Sequence, residues 1–275
     1  MRFGDSDLEW LVDLLAQAGA EEVMPRFRRL KRDEVREKSA STDLVTEADV
    51  RAEALIVQAL RERHPQALVV AEEACAADPG RIAGLAQADL AFAIDPLDGT
   101  FNFAAGVPLF AVMGAVLVKG EAVAGIIHDP VGRDSLIAMR GAGAHVRDED
   151  GTTTTVRVAE PAPVAQMIGS LAWQFLPLPE RRRLARNHTR CLAAVGYRCA
   201  AHEYRLIATG HAHFALYGRL MPWDHVAGAL IHAEAGGFSA RFDGSRYTAA
   251  HLDGGLLATT DPESWRALRE ALWEE

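Results

Sequence analysis

Four short apolar runs in the first half of the chain, each stopped by polar or charged residues, restrict its fold more than any other feature. Leu68-Val-Val-Ala71 and Leu90-Ala-Phe-Ala-Ile94 end on carboxylates, Glu72-Glu73 and Asp95. Phe110–Val118 and Ala122–Ile127 follow, separated only by Lys-Gly-Glu, the pattern of a β-hairpin. Runs of this length between turn signals read as buried strands. The longest is about half of what a membrane helix needs.

Around these runs the pattern is helical. Ser6 to Glu9 reads S-x-x-E, a capping box, with Leu8, Leu11, Val12 and Leu15 at helical spacing. The predicted helix runs to about Met24, with Pro25 ending or kinking it. Thr46 to Asp49 opens a second helix, with Ala52, Leu55, Ile56, Ala59 and Leu60 on one face and Pro65 beyond its end. Ser135–Met139, Ala144–Arg147 and Thr153–Val158 are further strand candidates, with Gly141, Gly143 and Gly151 at the turns. The stiff A-E-P-A-P segment then marks a lobe boundary, dividing the chain into 1–158 and 159–275. Beyond it, helices are expected near Glu180–Val195, Glu203–Thr209 and Trp223–Ala235. Strands are expected near Tyr197–Ala200, His213–Tyr217 and Gly255–Thr259. A last helix starts after Asp261-Pro262, an N-cap followed by proline at the first helical position. The alternation predicts a layered α+β or α/β fold, antiparallel in its first half.

A chain of 275 residues with 49% apolar and 24% charged residues has the makings of a large core, in one domain or two packed lobes. Its net charge of -9 argues against nucleic-acid or anionic-membrane surfaces. Cys75, Cys191 and Cys199 form neither a disulfide framework nor a zinc motif. Reduced thiols in a cytoplasmic protein are the simple reading, and the opening MRFGDSDLEW lacks the apolar core of a signal peptide.

Chemistry concentrates in D-P-L-D-G-T-F-N-F, residues 95–103. Asp95 and Asp98, just past a buried strand, are placed to ligate a hard cation such as Mg²⁺. Gly99 and Thr100 add backbone N–H groups and a hydroxyl where a helix may begin, an oxyanion cradle. Each piece also has a plainer reading. D-P-x-D-G-T is good turn chemistry, Glu72-Glu73 would suit a solvated surface, Asp49 pairs with a Thr46 cap, and Asp224 opens a helix whose dipole favours it.

Taken together, D-L-V-T-E-A-D (43–49), A-E-E (71–73), D-P-L-D-G-T-F-N-F (95–103), W-D-H-V-A-G-A (223–229) and E-A-G-G (234–237) resemble the inositol monophosphatase family. The motifs fall in that family's order with similar spacing. The resemblance implies a five-layered αβαβα sandwich of two lobes, a homodimer, and Mg²⁺-dependent hydrolysis of a small phosphate monoester. It implies that Glu72, Asp95 and the Leu97 carbonyl hold a first metal. Asp95, Asp98 and Asp224 would hold a second, and Glu72 with waters would support a third. Thr100 with Asp49 would position and help deprotonate the attacking water, assisted by Glu72. The N–H groups of Gly99 and Thr100 would face the phosphate.

The chain departs from the family in two places. Ala71 replaces a common glycine before the paired glutamates, which a strand-like backbone tolerates. More consequentially, Tyr217 stands where inositol-hydrolysing members carry a glutamate against substrate hydroxyls. The turn that meets the sugar ring aligns with Arg198-Cys199-Ala200-Ala201, which brings Ala200, together with Asp98 and Tyr217, into the substrate-contact set. Tyrosine cannot accept two hydrogen bonds from a diol as a carboxylate does. Inositol phosphate is therefore placed in doubt while phosphatase chemistry is not; packing at a lobe or dimer contact is the other reading of Tyr217. Arg198 reads as a surface or interface arginine, or as a contact to a second acidic group. The E-R-R-R-L-A-R run reads as a solvated helix face, and His128, His211, His213, His225 and His232 receive no role.

Competing readings are an aspartyl-phosphate phosphatase, disfavoured because D-x-x-D-G-T departs from D-x-D-x-T spacing, and a non-catalytic regulatory relative. Within the family, histidinol phosphate, fructose 1,6-bisphosphate and 3′-phosphoadenosine 5′-phosphate are the alternative substrates.

Overall fold

The computed structural model describes residues 3–41, 43–77 and 79–274. A short hairpin, β1 (Val35–Ala40) and β2 (Asp43–Thr46), precedes a seven-stranded sheet. That sheet runs in chain order through β3 (Leu68–Ala71), β4 (Ala91–Asp98), β5 (Ala111–Val118), β6 (Glu121–Asp129), β7 (Asp134–Met139), β8 (Ala144–Arg147) and β9 (Thr153–Thr155). Only β3 and β4 are parallel; every later pair is antiparallel. A second sheet has the order β11-β10-β12-β14-β13, formed by β10 (Ile168–Ala172), β11 (Ala193–Val195), β12 (Phe214–Tyr217), β13 (Phe238–Arg241) and β14 (Leu256–Thr259). The first sheet lies wholly before the A-E-P-A-P segment and the second wholly after it.

Helices make the remaining layers. Helices α1 (Asp5–Ala18) and α2 (Glu47–Arg63) cover one face of the large sheet, α1 against β5 and β6 and α2 against β4. Two small helices, α3 (Glu72–Ala77) and α4 (Thr100–Ala104), follow β3 and β4. On the opposite face lie α6 (Ala200–Ala208) and α7 (Pro222–Glu234), which also touch β12 and β13 of the small sheet. The outer face of that sheet carries α8 (Pro262–Trp273), packed on α5 (Leu178–Asn187). The result is the αβαβα sandwich, with α6 and α7 as its shared middle layer. Coverage on both faces is why β4 and β5 are buried along nearly their whole length, and why their sequences are continuous apolar runs. The middle layer sits close: a Cβ on Gly125 of β6 would meet the Ala227 carbonyl oxygen at 2.7 Å.

Several expected boundaries move. The first helix is capped at Gly4, whose N–H donates to Asp7, so Ser6 and Glu9 lie inside it. After Ala18 the chain widens into a π-turn over Gly19–Val23 before Pro25. Strand β4 does not stop at Asp95 but continues to Asp98 through a break in register. The helix expected to reach Val195 ends at Asn187, leaving Ala193–Val195 as an edge strand. No strand forms at 197–200, because Arg198 turns into the left-handed region and α6 begins at Ala200. Strands β1, β2, β10 and β13 were not anticipated; V-R-E-K-S-A is charged and poorly buried, so it lacks the apolar signature of a strand. At the final helix, Asp261 accepts from the N–H groups of Glu263 and Ser264 at 2.8 and 3.0 Å, the cap that was expected. Among the described residues no helix is long and apolar enough to cross a membrane.

Candidate active site

The site is built outward from the end of β4. Asp95 pairs with Met113 and Asp98 with Ala111, so the strand carries one extra residue, a bulge that re-aims successive side chains. Pro96 sits in that break, where no ladder bond is needed. Asp95 Oδ1 accepts from the Leu97 N–H at 2.9 Å, which fixes its carboxylate. Gly99 then adopts φ +88°, and a Cβ there would lie 2.7 Å from the Leu109 carbonyl oxygen, so no larger residue fits. This kink starts α4 and turns Thr100 back toward the strand.

Asn102 on α4 donates to the Leu109 carbonyl at 3.0 Å and to the Tyr197 carbonyl at 2.8 Å. It thereby ties the D-P-L-D-G-T segment to the turn before α6. Asn102→Ala leaves two carbonyls without their donor and is expected to cost about 1–3 kcal/mol in a urea melt. Loss of less than about 0.5 kcal/mol would mean that this tie is not structural.

The Asp49 carboxylate divides between two duties. Its Oδ2 accepts from the Thr46 N–H and hydroxyl at 2.8 and 2.6 Å, completing the cap of α2. Its Oδ1 accepts the Thr100 hydroxyl at 2.9 Å. The cap reading and the site reading of Asp49 are therefore both satisfied. Thr100 Oγ1 also lies 3.0 Å from the Leu97 carbonyl oxygen, which keeps a lone pair for another partner. Glu72 opens α3, whose direction is set by a residue the sequence reading missed: buried Glu53 accepts from the N–H groups of Glu73 and Ala74 at 2.7 and 2.9 Å. Lys38 on β1 reaches in to Glu72 and Glu73 at 2.8 and 2.6 Å.

Helix α7 supplies Asp224 in its first turn. The next residue, His225, is buried and linked on both ring nitrogens. Its Nε2 donates to the Arg219 carbonyl at 2.8 Å, which leaves Nδ1 to accept from the Tyr204 hydroxyl at 3.2 Å. Burial lowers its pKa to about 3, so it is neutral and holds the 219 loop against α6. Asp98 bridges to α6: its Oδ2 accepts from the Ala201 N–H at 2.6 Å and from the Cys199 thiol at 3.1 Å. Ala200 is half-buried on the pocket wall. Tyr217, 2% exposed, stacks on Tyr204 at 4.9 Å between ring centroids, and its hydroxyl has no hydrogen-bond partner.

Glu72, Asp95, Leu97, Asp98, Thr100, Ala200, Tyr217 and Asp224 line one cleft of about 140 Å³, open to solvent, between the carboxyl end of β4 and the α6–α7 layer. Ligand atoms of Glu72, Asp95 and Asp224 lie within 4.8 Å of one another. Asp98 stands beside this trio, oriented by α6 rather than counted within it. Burial raises the pKa of Asp95 well above normal, and Glu72, Asp98 and Asp224 push it further; Asp224 is raised for the same reasons. Asp49 and Asp98 rise to about 6, burial outweighing their hydrogen bonds. Glu73 rises to about 8 by burial and the charge of Glu72. Among the described residues Lys38 is the ion-pair partner of Glu72 and Glu73, and their charge keeps it protonated against the effect of burial. The cluster is thus short of positive charge. A hard divalent cation, which selects carboxylate and carbonyl oxygens, fits this donor set.

The sequence-predicted residues Asp49, Glu72, Asp95, Leu97, Asp98, Gly99, Thr100, Ala200, Tyr217 and Asp224 therefore converge on one cleft or bond directly to its lining. Reasoning from sequence missed Lys38, Glu53, Cys199 and Glu203. The contacts of Lys38, Glu53 and Cys199 span from 20 to 101 residues along the chain, and no local pattern reports such pairs.

A layered αβαβα protein with a carboxylate cluster at a strand end defines a class of oxygen-ligand sites, and comparison with known proteins specifies it. The model of the inositol monophosphatase family matches residues 6–275, and the chain belongs to that family. It is 31% identical over 248 residues to a Thermotoga maritima protein named fructose-1,6-bisphosphatase/inositol-1-monophosphatase, covering 88% of this chain and 87% of that one. It is 29% identical over 245 residues to Nus factor SuhB of Vibrio cholerae, covering 86% and 85%. Among solved structures it superposes on the extragenic suppressor protein suhB from Bartonella henselae with a TM-score of 0.81, at 26% identity over 98% and 99% of the two chains. An IMPase from Thermotoga maritima gives 0.80 at the same identity and coverage.

Proposed function

We propose that this protein is a Mg²⁺-dependent phosphate monoester hydrolase acting on a small phosphorylated polyol, sugar or related alcohol by direct attack of water. The observation that carries the reading is the convergence of Glu72, Asp95 and Asp224 within 4.8 Å beside the Asp49–Thr100 hydrogen bond. Two or three Mg²⁺ ions would be held by Glu72, Asp95, Asp98, Asp224 and the Leu97 carbonyl. Bound there, they supply the positive charge that a phosphate dianion and a departing alkoxide require, and lower the pKa of water.

The chain's own groups do the rest. Asp49 accepts the Thr100 proton, which turns the Thr100 oxygen lone pairs outward to accept from a water. Glu72, on the same side, is placed to assist that proton's removal. The N–H groups of Gly99 and Thr100 would face the anion, and Asp98, fixed by Ala201 and Cys199, would lie on the alcohol side with Ala200 and Tyr217. The lobes 1–158 and 159–275 would each contribute to the site, the second through Asp224 and α6. Following the family resemblance, the enzyme would be a cytoplasmic homodimer; Cys75, Cys191 and Cys199 are not joined in disulfides, which suits a reducing compartment.

The relatives named Nus factor SuhB favour a second reading, action through a partner. Retention of every cluster carboxylate together with Thr100 favours catalysis as the primary role. A phosphate-release panel over inositol 1-phosphate, fructose 1,6-bisphosphate, histidinol phosphate and 3′-phosphoadenosine 5′-phosphate, with and without Mg²⁺, tests the proposal. Release from at least one ester, abolished by chelation, is expected; no Mg²⁺-dependent release from any would contradict it. In the same samples, Mg²⁺ at 100 times its Kd should stabilise the fold by about 2.7 kcal/mol.

A further inference from the structure

Two of the carboxylates in the cleft come from different layers of the sandwich. Asp98 ends β4, whereas Asp224 stands in the first turn of α7. Helix α6 grips the first of them through the Ala201 N–H, which donates to Asp98 Oδ2 at 2.6 Å. The start of α6 is itself tied down. Buried Glu203 accepts from the Tyr197 N–H at 3.0 Å, and Asn102 holds the Tyr197 carbonyl at 2.8 Å.

The turn that carries Asp224 lacks a side-chain cap. Its N-cap is Met221, whose side chain cannot accept from the first N–H groups, and Pro222 follows. The turn is instead clasped from α6. Tyr204, one turn beyond Ala201, lies so close to α7 that a Cβ on Gly228 would run into its ring. Its hydroxyl donates to His225 Nδ1 at 3.2 Å, and His225 Nε2 donates to the Arg219 carbonyl at 2.8 Å. The adjacent Leu220 N–H donates to the Leu252 carbonyl at 3.0 Å. The chain leading into Asp224 is thereby held at consecutive residues, from α6 and from the 252 loop.

Tyr204 and His225 are both buried, in a layer otherwise filled by side chains such as Ala201, Ile207, Val226 and Ala227. Apolar residues would pack there without the cost of burying a hydroxyl and an imidazole. A hydrogen-bonded pair fixes one orientation of α7 on α6 instead. We infer that Tyr204 and His225 are positioning residues that set Asp224 against Asp98, and through them the affinity of the cleft for its divalent cation. This rests on the metal-dependent phosphatase reading and deepens it: the strength of metal binding is decided partly in the α6–α7 layer, behind the carboxylates.

Titration of the metal-free protein with Mn²⁺ tests it, with the free ion followed by electron paramagnetic resonance well below the Tm of each variant. Tyr204→Phe removes only the hydroxyl and keeps the ring against Gly228 and on Tyr217. His225→Leu removes both bonds of the clasp. Each is expected to weaken Mn²⁺ binding about tenfold, the lower end of what losing a partner behind a metal ligand costs. Phosphate release lost at low Mg²⁺ should return as Mg²⁺ is raised, by mass action. A role in folding alone would lower the metal-free Tm and leave the Kd where it was. An unchanged Kd in Tyr204→Phe therefore overturns the inference, whatever its Tm, and leaves the phosphatase reading standing. Should His225→Leu fail to fold, Tyr204→Phe decides by itself. Absence of Mn²⁺ binding in the wild type would instead remove the metal reading on which the inference rests.

Discussion

Asp95→Asn is expected to lower Mg²⁺-dependent phosphate release about a thousandfold while making the metal-free protein more stable. The two effects have one origin. Asp95 is buried, and Glu72, Asp98 and Asp224 all raise the cost of its charge. Asparagine keeps the carbonyl that accepts from Leu97 at 2.9 Å and removes a charge from the crowd. Without metal, relief of desolvation and repulsion should stabilise the fold by about 1–2 kcal/mol. With metal, the variant lacks the carboxylate that both principal metal positions would share, so the Mg²⁺-induced rise in Tm should largely vanish. A variant that is less stable than wild type without Mg²⁺, or fully active with it, would show that Asp95 is a structural residue rather than a ligand.

Glu203→Gln is expected to flatten the pH dependence of stability above pH 5. Burial raises the folded-state pKa of Glu203 to about 8, against an ordinary value of about 4.5, outweighing the hydrogen bonds it accepts. A raised carboxyl pKa means that the folded state binds the proton more tightly. Its contribution is therefore fully present below about pH 4.5 and is lost as pH rises through 8. At about 1.4 kcal/mol per pH unit the loss is on the order of 5 kcal/mol across this window. Glutamine stays neutral and keeps an acceptor for Tyr197, so the wild-type and variant urea-melt curves should diverge from pH 5 to 8, with the variant the more stable at the upper end. Parallel curves would mean that Glu203 is ionised throughout and held by its backbone donors.

What could be read from sequence divides along a physical line. Elements whose signal is local were legible: the β5–β6 hairpin from two apolar runs and a tight connection, and the Asp261 cap from the residue pair at a helix start. The metal-ligand candidates were legible because they sit at strand and helix ends, where apolar patterning breaks into carboxylates. The substrate side was not. Tyr217 stands out in sequence as a replaced glutamate, but only the packing shows its ring stacked on Tyr204 with a hydroxyl left unpaired. Glu53 looks like an ordinary polar position on α2, yet its carboxylate caps a helix 20 residues away. Arg198 reads as surface until its left-handed backbone and the Phe101 ring come into view. Contacts made by tertiary assembly leave no periodicity behind.

The hairpin carrying Lys38 shows how the metal-free protein tolerates its own site. The ammonium between Glu72 and Glu73 offsets part of the repulsion in the cluster. The crowding of charge on Asp95 remains, and there the need for a cation is greatest.

Diffraction from crystals soaked in Mn²⁺ as a stand-in for Mg²⁺ is the most direct test, because manganese scatters anomalously. The account predicts an anomalous peak among Glu72, Asp95 and Asp224, about 2.1–2.2 Å from their carboxylate oxygens, and its absence in Asp95→Asn crystals. No peak in the wild-type cleft at saturating Mn²⁺, or an undiminished one in the variant, would contradict it.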